Sequence, residues 1–424
     1  MGVTVRSESA LSRRDYLRAL VAAGGTAALS ACLGFGDDDN EVSVPTGVEN
    51  PRSLPDRQHA WNDVLSRDED SNIQLPEHHV LVALQLVTDV DDQAREQTEQ
   101  ALRELERAYE WSNEGLVFTI GYTPAYFGRF DAPPTGIDLP DPEPLAPRES
   151  PALDEFDALV HLASDSPAVV LEAEEGLFGE REQLNGRESE ADLTGIFERV
   201  EENRRTGFVG DGLVAEQMDL DAVPDGIPED APFFMGFRSG FLESQASESF
   251  VTIADGPFAG GTTQHLSSMD TNLTQWFEQE NQFQRVSKLF SPEHAERDLV
   301  GDIGEKLGQS NALASEWIED IEAVARERGV VGHAQKTARA RKEGQPLLLR
   351  RDFNTVDGDQ PGLHFLSLQR DVSDFVRVRD AMNGEQFDVP RANNGILHYL
   401  FVNRRGNYLI PPRSLRALPP ADPS

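Results

Sequence analysis

Val80-Leu81-Val82-Ala83-Leu84-Gln85-Leu86 sets Val80, Val82, Leu84 and Leu86 at every second position, the spacing of a strand. The period then changes. Leu102, Leu105 and Tyr109 recur at helical spacing within Gln93 to Trp111, and Leu116 to Tyr122 returns to strand character. Beyond a proline-rich acidic loop from Asp131 to Leu153, Ala158 to Ala163 reads as the next strand. Ser166-Pro167 opens a helix, with serine at the cap and proline at the first helical position. Strand, helix, strand, strand, helix is the order of a ferredoxin-like unit, an antiparallel sheet with its helices on one face. Its last strand is expected near Gly207 to Gly210.

The pattern repeats further on. Phe250 to Ala254 reads as a strand, Thr271 to Gln279 and Ala312 to Arg328 as helical, Leu363 to Gln369 as a strand, Val372 to Met382 as a helix, and Leu397 to Val402 as a strand closed by Pro411-Pro412. Turn signals at Pro224-Asp225-Gly226, Asp255-Gly256-Pro257 and Asp357-Gly358-Asp359 separate the pieces. The predicted class is α+β, with two ferredoxin-like halves at residues 78–230 and 231–424.

Residues 1–32 read as an address. Ser12-Arg13-Arg14-Asp15-Tyr16-Leu17-Arg18 is a twin-arginine pattern, and the uncharged stretch Ala19 to Ala31 is too short to span a bilayer comfortably. Leu29-Ser30-Ala31-Cys32 resembles a lipobox, which makes Cys32 the lipidation site and the outer face of the cell membrane the expected location. The competing reading is a chance Arg-Arg pair before a buried helix. Cys32 is the only cysteine, so no intrachain disulfide can form. Residues 33–77 are polar, with Asp37-Asp38-Asp39 and scattered prolines, and read as an acidic flexible linker between lipid and domain.

In its 424 residues the chain carries 38 Lys+Arg against 75 Asp+Glu, a net charge of −37, and only four of the basic residues are lysines. A phosphate backbone would be repelled, which excludes nucleic acid as an expected partner. A carboxylate-dense surface stays hydrated where salt screens charge over a few ångströms, so adaptation to high salt is expected. Apolar residues at 38% in periodic blocks argue against a disordered acidic chain.

Several chemistries are missing. No histidine pair has the i, i+4 spacing of a zinc helix, and there is neither a Gly-x-Ser-x-Gly elbow nor a phosphate-binding Gly-x-x-x-x-Gly-Lys-Ser/Thr loop. What stands out is Gly332-His333-Ala334-Gln335-Lys336-Thr337-Ala338-Arg339-Ala340-Arg341, a basic stretch in an acidic protein, followed by Leu348-Leu349-Arg350-Arg351-Asp352. One neutral imidazole beside several cations suits an axial haem ligand, because haem propionates take arginine or lysine partners. The plain alternative is a packed histidine next to a solvated basic face.

At this point the chain resembles a divergent dye-decolourising (Dyp-type) haem peroxidase, over roughly Val80 to Pro412. In the first half the matching blocks are Val117-Phe118-Thr119-Ile120-Gly121-Tyr122 with Tyr126-Phe127, and Ala158 to Pro167. Gly236-Phe237-Arg238-Ser239-Gly240 resembles the Gly-Phe-x-Asp-Gly signature, and Gly256 to Thr262 the Gly-Gly-Ser/Thr strand after it. His333 stands in the place of the proximal ligand, Leu349-Arg350-Arg351 in that of the distal arginine, and Gly362 to Asp371 in that of the late strand. The resemblance implies two ferredoxin-like halves of the dimeric α/β-barrel type, one haem b in the second half, peroxide and a reductant as substrates, and self-association as a homo-oligomer.

It further implies that His333 binds iron, that Arg350 stabilises charge as the peroxide bond breaks, and that Arg339 and Arg341 hold propionates. The signature aspartate, which moves a proton between the peroxide oxygens, is here Ser239, too weakly acidic and basic for that task. Slow turnover is therefore expected unless Asp352, two residues after Arg350, fills in; Glu243 and Asp255 are weaker candidates. Alternation could equally place Arg350 and Asp352 on one face for structural reasons. His161 and His265 read as structural, and Trp276, Tyr399 and Tyr408 as packing aromatics. The alternative function is a non-catalytic haem or iron carrier, or a cofactor-free surface protein on the same fold.

Overall fold

The computed structural model describes residues 44–218, 220 and 222–423. The twin-arginine pattern and Cys32 lie outside the described residues. Eight strands dominate: β1 (His78–Leu86), β2 (Val117–Tyr122), β3 (Ala158–Ser164), β4 (Arg205–Phe208), β5 (Thr262–Thr271), β6 (Phe353–Thr355), β7 (Gly362–Gln369) and β8 (Leu400–Ile410). The first four form an antiparallel sheet in the order β4-β1-β3-β2, and the last four repeat it as β8-β5-β7-β6. Both have the ferredoxin-like order expected of each half, although β6 is a strand that the sequence reading did not name. The sheets meet edge to edge through Tyr122 opposite Leu409 and Phe208 opposite Asn354, which closes the ring into a barrel and removes free sheet edges.

Strand alternation sorts the side chains into layers. Val80, Val82, Leu84, Val160 and Leu162 face outward and are covered by α1 (Asp92–Ala108) and α2 (Pro167–Leu177) through Leu102, Leu105, Val169 and Val170. Leu81, Leu159, Leu266, Phe353, Leu366 and Tyr408 fill the barrel interior. On the outer face of the second sheet lie α3 (His333–Ala338) and α4 (Val372–Asn383). No helix among the described residues is long and apolar enough to cross a membrane.

Two expectations need correction. Phe250 to Ala254 is not a strand: Glu248–Val251 is a short helix capped by the Ser247 side chain, and Glu248 Oε1 accepts from the Trp61 and Asn62 amides. The first strand of the second sheet begins instead at Thr262, after Gly260 turns the chain at φ +90°.

The second correction concerns the stretch read as a linker, whose described part, 44–77, lies against the domain. Trp61 is fully buried, and its indole donates to Gln58 O at 2.9 Å. The Gln58 amide donates to Ile120 O and Pro411 O and accepts from Ile120 N, so it bridges the sparsely paired seam between β2 and β8. A tryptophan and a seam-filling amide outweigh the polar composition around them.

Candidate functional site: an arginine-rimmed cavity on the second sheet

A cavity of about 880 Å³ lies over the outer face of the second sheet, within the size range of cofactor pockets. Phe237, Phe241, Phe365, Phe375 and Leu347 give it apolar walls. His333, Ser239, Arg341, Arg350 and Asp352 also line it. Residues spread over more than a hundred positions thus reach one space.

His333 opens α3, and the helix is fixed from several sides. A Cβ on Gly332 would stand 1.8 Å from Phe290 O, so only glycine lets the chain pass this close as it enters the helix. The Gln335 side chain accepts from Gly332 N at 3.0 Å and donates to Trp317 O at 2.9 Å. Lys336 Nζ donates to Met382 O, Asn394 O and Asn394 Oδ1, which ties α3 to the end of α4. Burial pushes this ammonium down to about 7, and Arg379 adds to the shift. The His333 imidazole is pushed down to about 3 by burial, with Lys336, Arg350 and Arg379 adding repulsion. It is therefore neutral at pH 7, and its Nδ1 is buried without a hydrogen-bond partner.

Alternation decides the second cluster. Arg350 and Asp352 face the cavity, whereas Arg351 turns the other way, to Glu248 at 3.0 Å and over the Trp61 ring at 4.0 Å. Gln245 holds the Arg350 backbone from both sides, accepting from its N–H at 2.8 Å and donating to its carbonyl at 3.3 Å. Asp352 is buried, and burial raises its carboxyl to about 6 although Arg350 and the Leu366 amide pull it down. Ser239 sits in a loop between Gly236 and Gly240, both at positive φ, and that loop is tied back to the sheet where Asn354 bonds Pro232 O and Phe234 N.

Arg339 departs from expectation. It caps the C-terminus of α3, leans over the Phe387 ring and meets Glu322 at 3.6 Å, off the cavity wall. Six residues of helix carry it roughly 240° round the axis from His333. The cations that do line the cavity include Arg379 and Arg405, which sequence reasoning missed. Arg379 shares the apolar face of α4 with Phe375 and Met382 at i, i+4 and i, i+3, a legible signal. Arg405 follows a register shift between Val402 and Arg404, which defeats simple alternation.

His161 and His265 are bonded inside the fold, whereas His59 Nδ1, His78 Nδ1 and His79 Nε2, like His333 Nδ1, are buried without a partner. His161 Nε2 meets His79 Nδ1 at 2.9 Å. His265 bonds Asn407 at 2.7 Å and Ser267 at 2.8 Å and stacks on Phe375. Trp276 donates to Met235 O, Tyr399 to Glu280 and Tyr408 to Asp154. Glu243 and Asp255 are exposed and off the cavity wall. Among the described residues no group of three or more His, Cys, Asp or Glu could hold a metal ion.

The fold is that of Dyp-type peroxidases. A dye-decolorizing peroxidase from Bacteroides thetaiotaomicron VPI-5482 is similar over 84% of this chain and 99% of that one, at 13% identity and a TM-score of 0.52. The dye-decolorizing protein from V. cholerae covers 84% and 98% at 15% identity and 0.51. A DypB variant from Rhodococcus jostii RHA1, solved in complex with heme, covers 85% and 98% at 13% identity and 0.52. At such identities the likeness speaks for the fold alone. No curated protein matches the sequence. The model of a family described as "Family of unknown function (DUF7405)" matches residues 76–412, which include both sheets and every cavity residue named above, and the chain belongs to that family.

Proposed function

We propose that the protein binds haem b and acts as a peroxidase-like oxidoreductase of low turnover. The observation that carries this reading is the neutral His333 imidazole on the wall of a large cavity with apolar walls, a ring that makes no hydrogen bond with the described residues. The donor set fits the group. His333 would ligate the iron, Arg341, Arg379 and Arg405 would hold the propionates, and the phenylalanines would give the macrocycle apolar surroundings. Haem complexes are described for relatives of this fold, among them the Rhodococcus jostii DypB variant.

When bound, haem supplies the redox chemistry with peroxide. The chain supplies charge and protons. Arg350 presents a guanidinium to a peroxide oxygen as negative charge grows there. The Asp352 carboxyl, raised to about 6, can hold a proton on Oδ2 while Oδ1 accepts from the Leu366 amide. Ser239 cannot take that part, and this favours the second reading, a haem or iron carrier without turnover.

The same proposal places the protein outside the cell. Arg13-Arg14, the uncharged stretch before Ala31 and Cys32 support twin-arginine export with a lipid anchor, and the charge of −37 supports a high-salt setting. Peroxide and an external reductant would be the small-molecule partners, and self-association is part of the proposal. The deciding test is an absorption spectrum of protein reconstituted with haem in high salt. A Soret band lost in His333→Ala supports the ligand assignment, and a featureless spectrum of the wild type ends the haem reading.

A further inference from the structure

Arg379 and Arg405 both line the cavity, and the first half of the chain already presents them with a carboxylate. Glu149 Oε1 accepts from Arg379 Nη2 at 2.5 Å, and Oε2 accepts from Arg405 Nη2 at 2.8 Å. The Leu145 amide adds a third donor, at 2.9 Å from Oε2. All three charged side chains are nearly excluded from water, at 11%, 8% and 1% exposure. Two guanidiniums against one carboxylate leave a positive excess. The other contacts of Arg405 are neutral: Nη1 donates to His265 and Ser267, and its Nε is buried with no partner at all. Two buried guanidiniums on a cavity wall, one of them incompletely paired, make a built anion site.

The segment that delivers Glu149 is lightly held. Between the bond from Asn407 to Pro140 O and the pairing of Ala152–Leu153 with β8, its tertiary hydrogen bonds are the one from Asn383 to Leu145 O and the two at Glu149. Leu145 adds an apolar contact against the cluster that holds Val378 and Met382. Pro142, Pro144, Pro147 and Pro151 limit the conformations open to it once released.

We infer that Arg379 and Arg405 form a carboxylate-binding subsite of this cavity whose resting occupant is Glu149, so that a ligand carrying a carboxylate displaces Glu149 and frees residues 141–151 as a strap over the cavity. The inference shares its cavity with the haem reading and rests on that reading only for the macrocycle used as a probe. It adds that loading is a competition, with an internal carboxylate lowering the apparent affinity of an external one.

The test titrates the haem-free full chain with metal-free protoporphyrin IX, which carries two carboxylates, and with its dimethyl ester. In Glu149→Gln the diacid is expected to bind about tenfold more tightly while the ester is unchanged, the increase expected when a competing state is removed. In the wild type, saturating diacid should speed amide exchange over 141–151. Equal or weaker diacid binding in Glu149→Gln, an equal gain for the ester, or unaltered exchange would overturn the inference. If neither porphyrin binds either protein, the haem reading is left to the Soret test and benzoate decides the strap: tighter binding by Glu149→Gln sustains it, and equal or weaker binding ends it. Glu149→Asp, one methylene shorter, is expected to fall between the two and takes the place of the amide variant if that does not fold.

Discussion

Arg350 Nη1 stands 3.5 Å from Asp352 Oδ2, two side chains on the same face of one short stretch, both turned into the cavity. The separation is long for a hydrogen-bonded ion pair, and burial outweighs the attraction, since the Asp352 carboxyl is raised to about 6.

That shift makes stability depend on pH. An unfolded aspartate titrates near 3.9, so Asp352 stabilises the fold fully below that pH, and the contribution is lost as pH rises through about 6. Asp352→Asn, which stays neutral, should therefore gain on the wild type by about 2–3 kcal/mol between pH 4 and pH 7. Denaturant unfolding of both proteins at the two pH values checks this; a difference that does not change with pH would mean that the carboxyl is solvated.

Arg350→Ala is expected to slow the reaction of the haem-loaded protein with peroxide by about 10²–10³, the usual loss on removing a positioned charge-stabilising donor. Stopped-flow spectra measure it directly. Gln245→Leu, which frees the Arg350 backbone without touching its charge, should give a smaller loss, and equal losses would show that the guanidinium itself is not what matters.

Restoring an acid at the signature position is the complementary experiment. Ser239→Asp should raise turnover, with a ceiling of about 10²–10⁴ for a positioned acid–base group. Steady-state rates against pH decide it. An unchanged rate in a protein that retains its Soret band would show that the 236–240 loop no longer holds the geometry.

Gln58 bridges the β2–β8 seam, and its removal strips partners from two buried carbonyls and an amide. Gln58→Ala is expected to cost about 2–3 kcal/mol. Calorimetric melting checks this, and a change under half a kcal/mol would show that the seam closes without it.

Export and anchoring are open to a simple fractionation. The wild type should pellet with membranes, Cys32→Ser should be released to the medium, and replacing Arg13 and Arg14 with lysines should retain the protein inside the cell. A wild type found in the soluble cytosolic fraction would remove the address reading.

The first sheet was legible because its strands alternate cleanly and its helices have marked starts, as at Ser166-Pro167. The second was harder. A short helix at Glu248–Val251 is held by bonds to Trp61 and Asn62, nearly two hundred residues away, which no local window reports. His333 could be picked out because a basic cluster is conspicuous in an acidic chain, whereas Arg350, and Asp352 beside it, were singled out through the family resemblance. Arg405 could not, since its direction depends on a register shift, and neither could Glu149, whose role appears only when a proline-rich loop of the first half crosses to the second.

The docking of residues 44–77 onto the barrel has a geometric corollary for a lipidated protein. Only twelve peptide links separate Cys32 from Val44, and at full stretch they reach about 40 Å. A protein anchored at Cys32 would thus ride close to the bilayer like a moored float, choosing its reductants from what lies at or near the lipid surface.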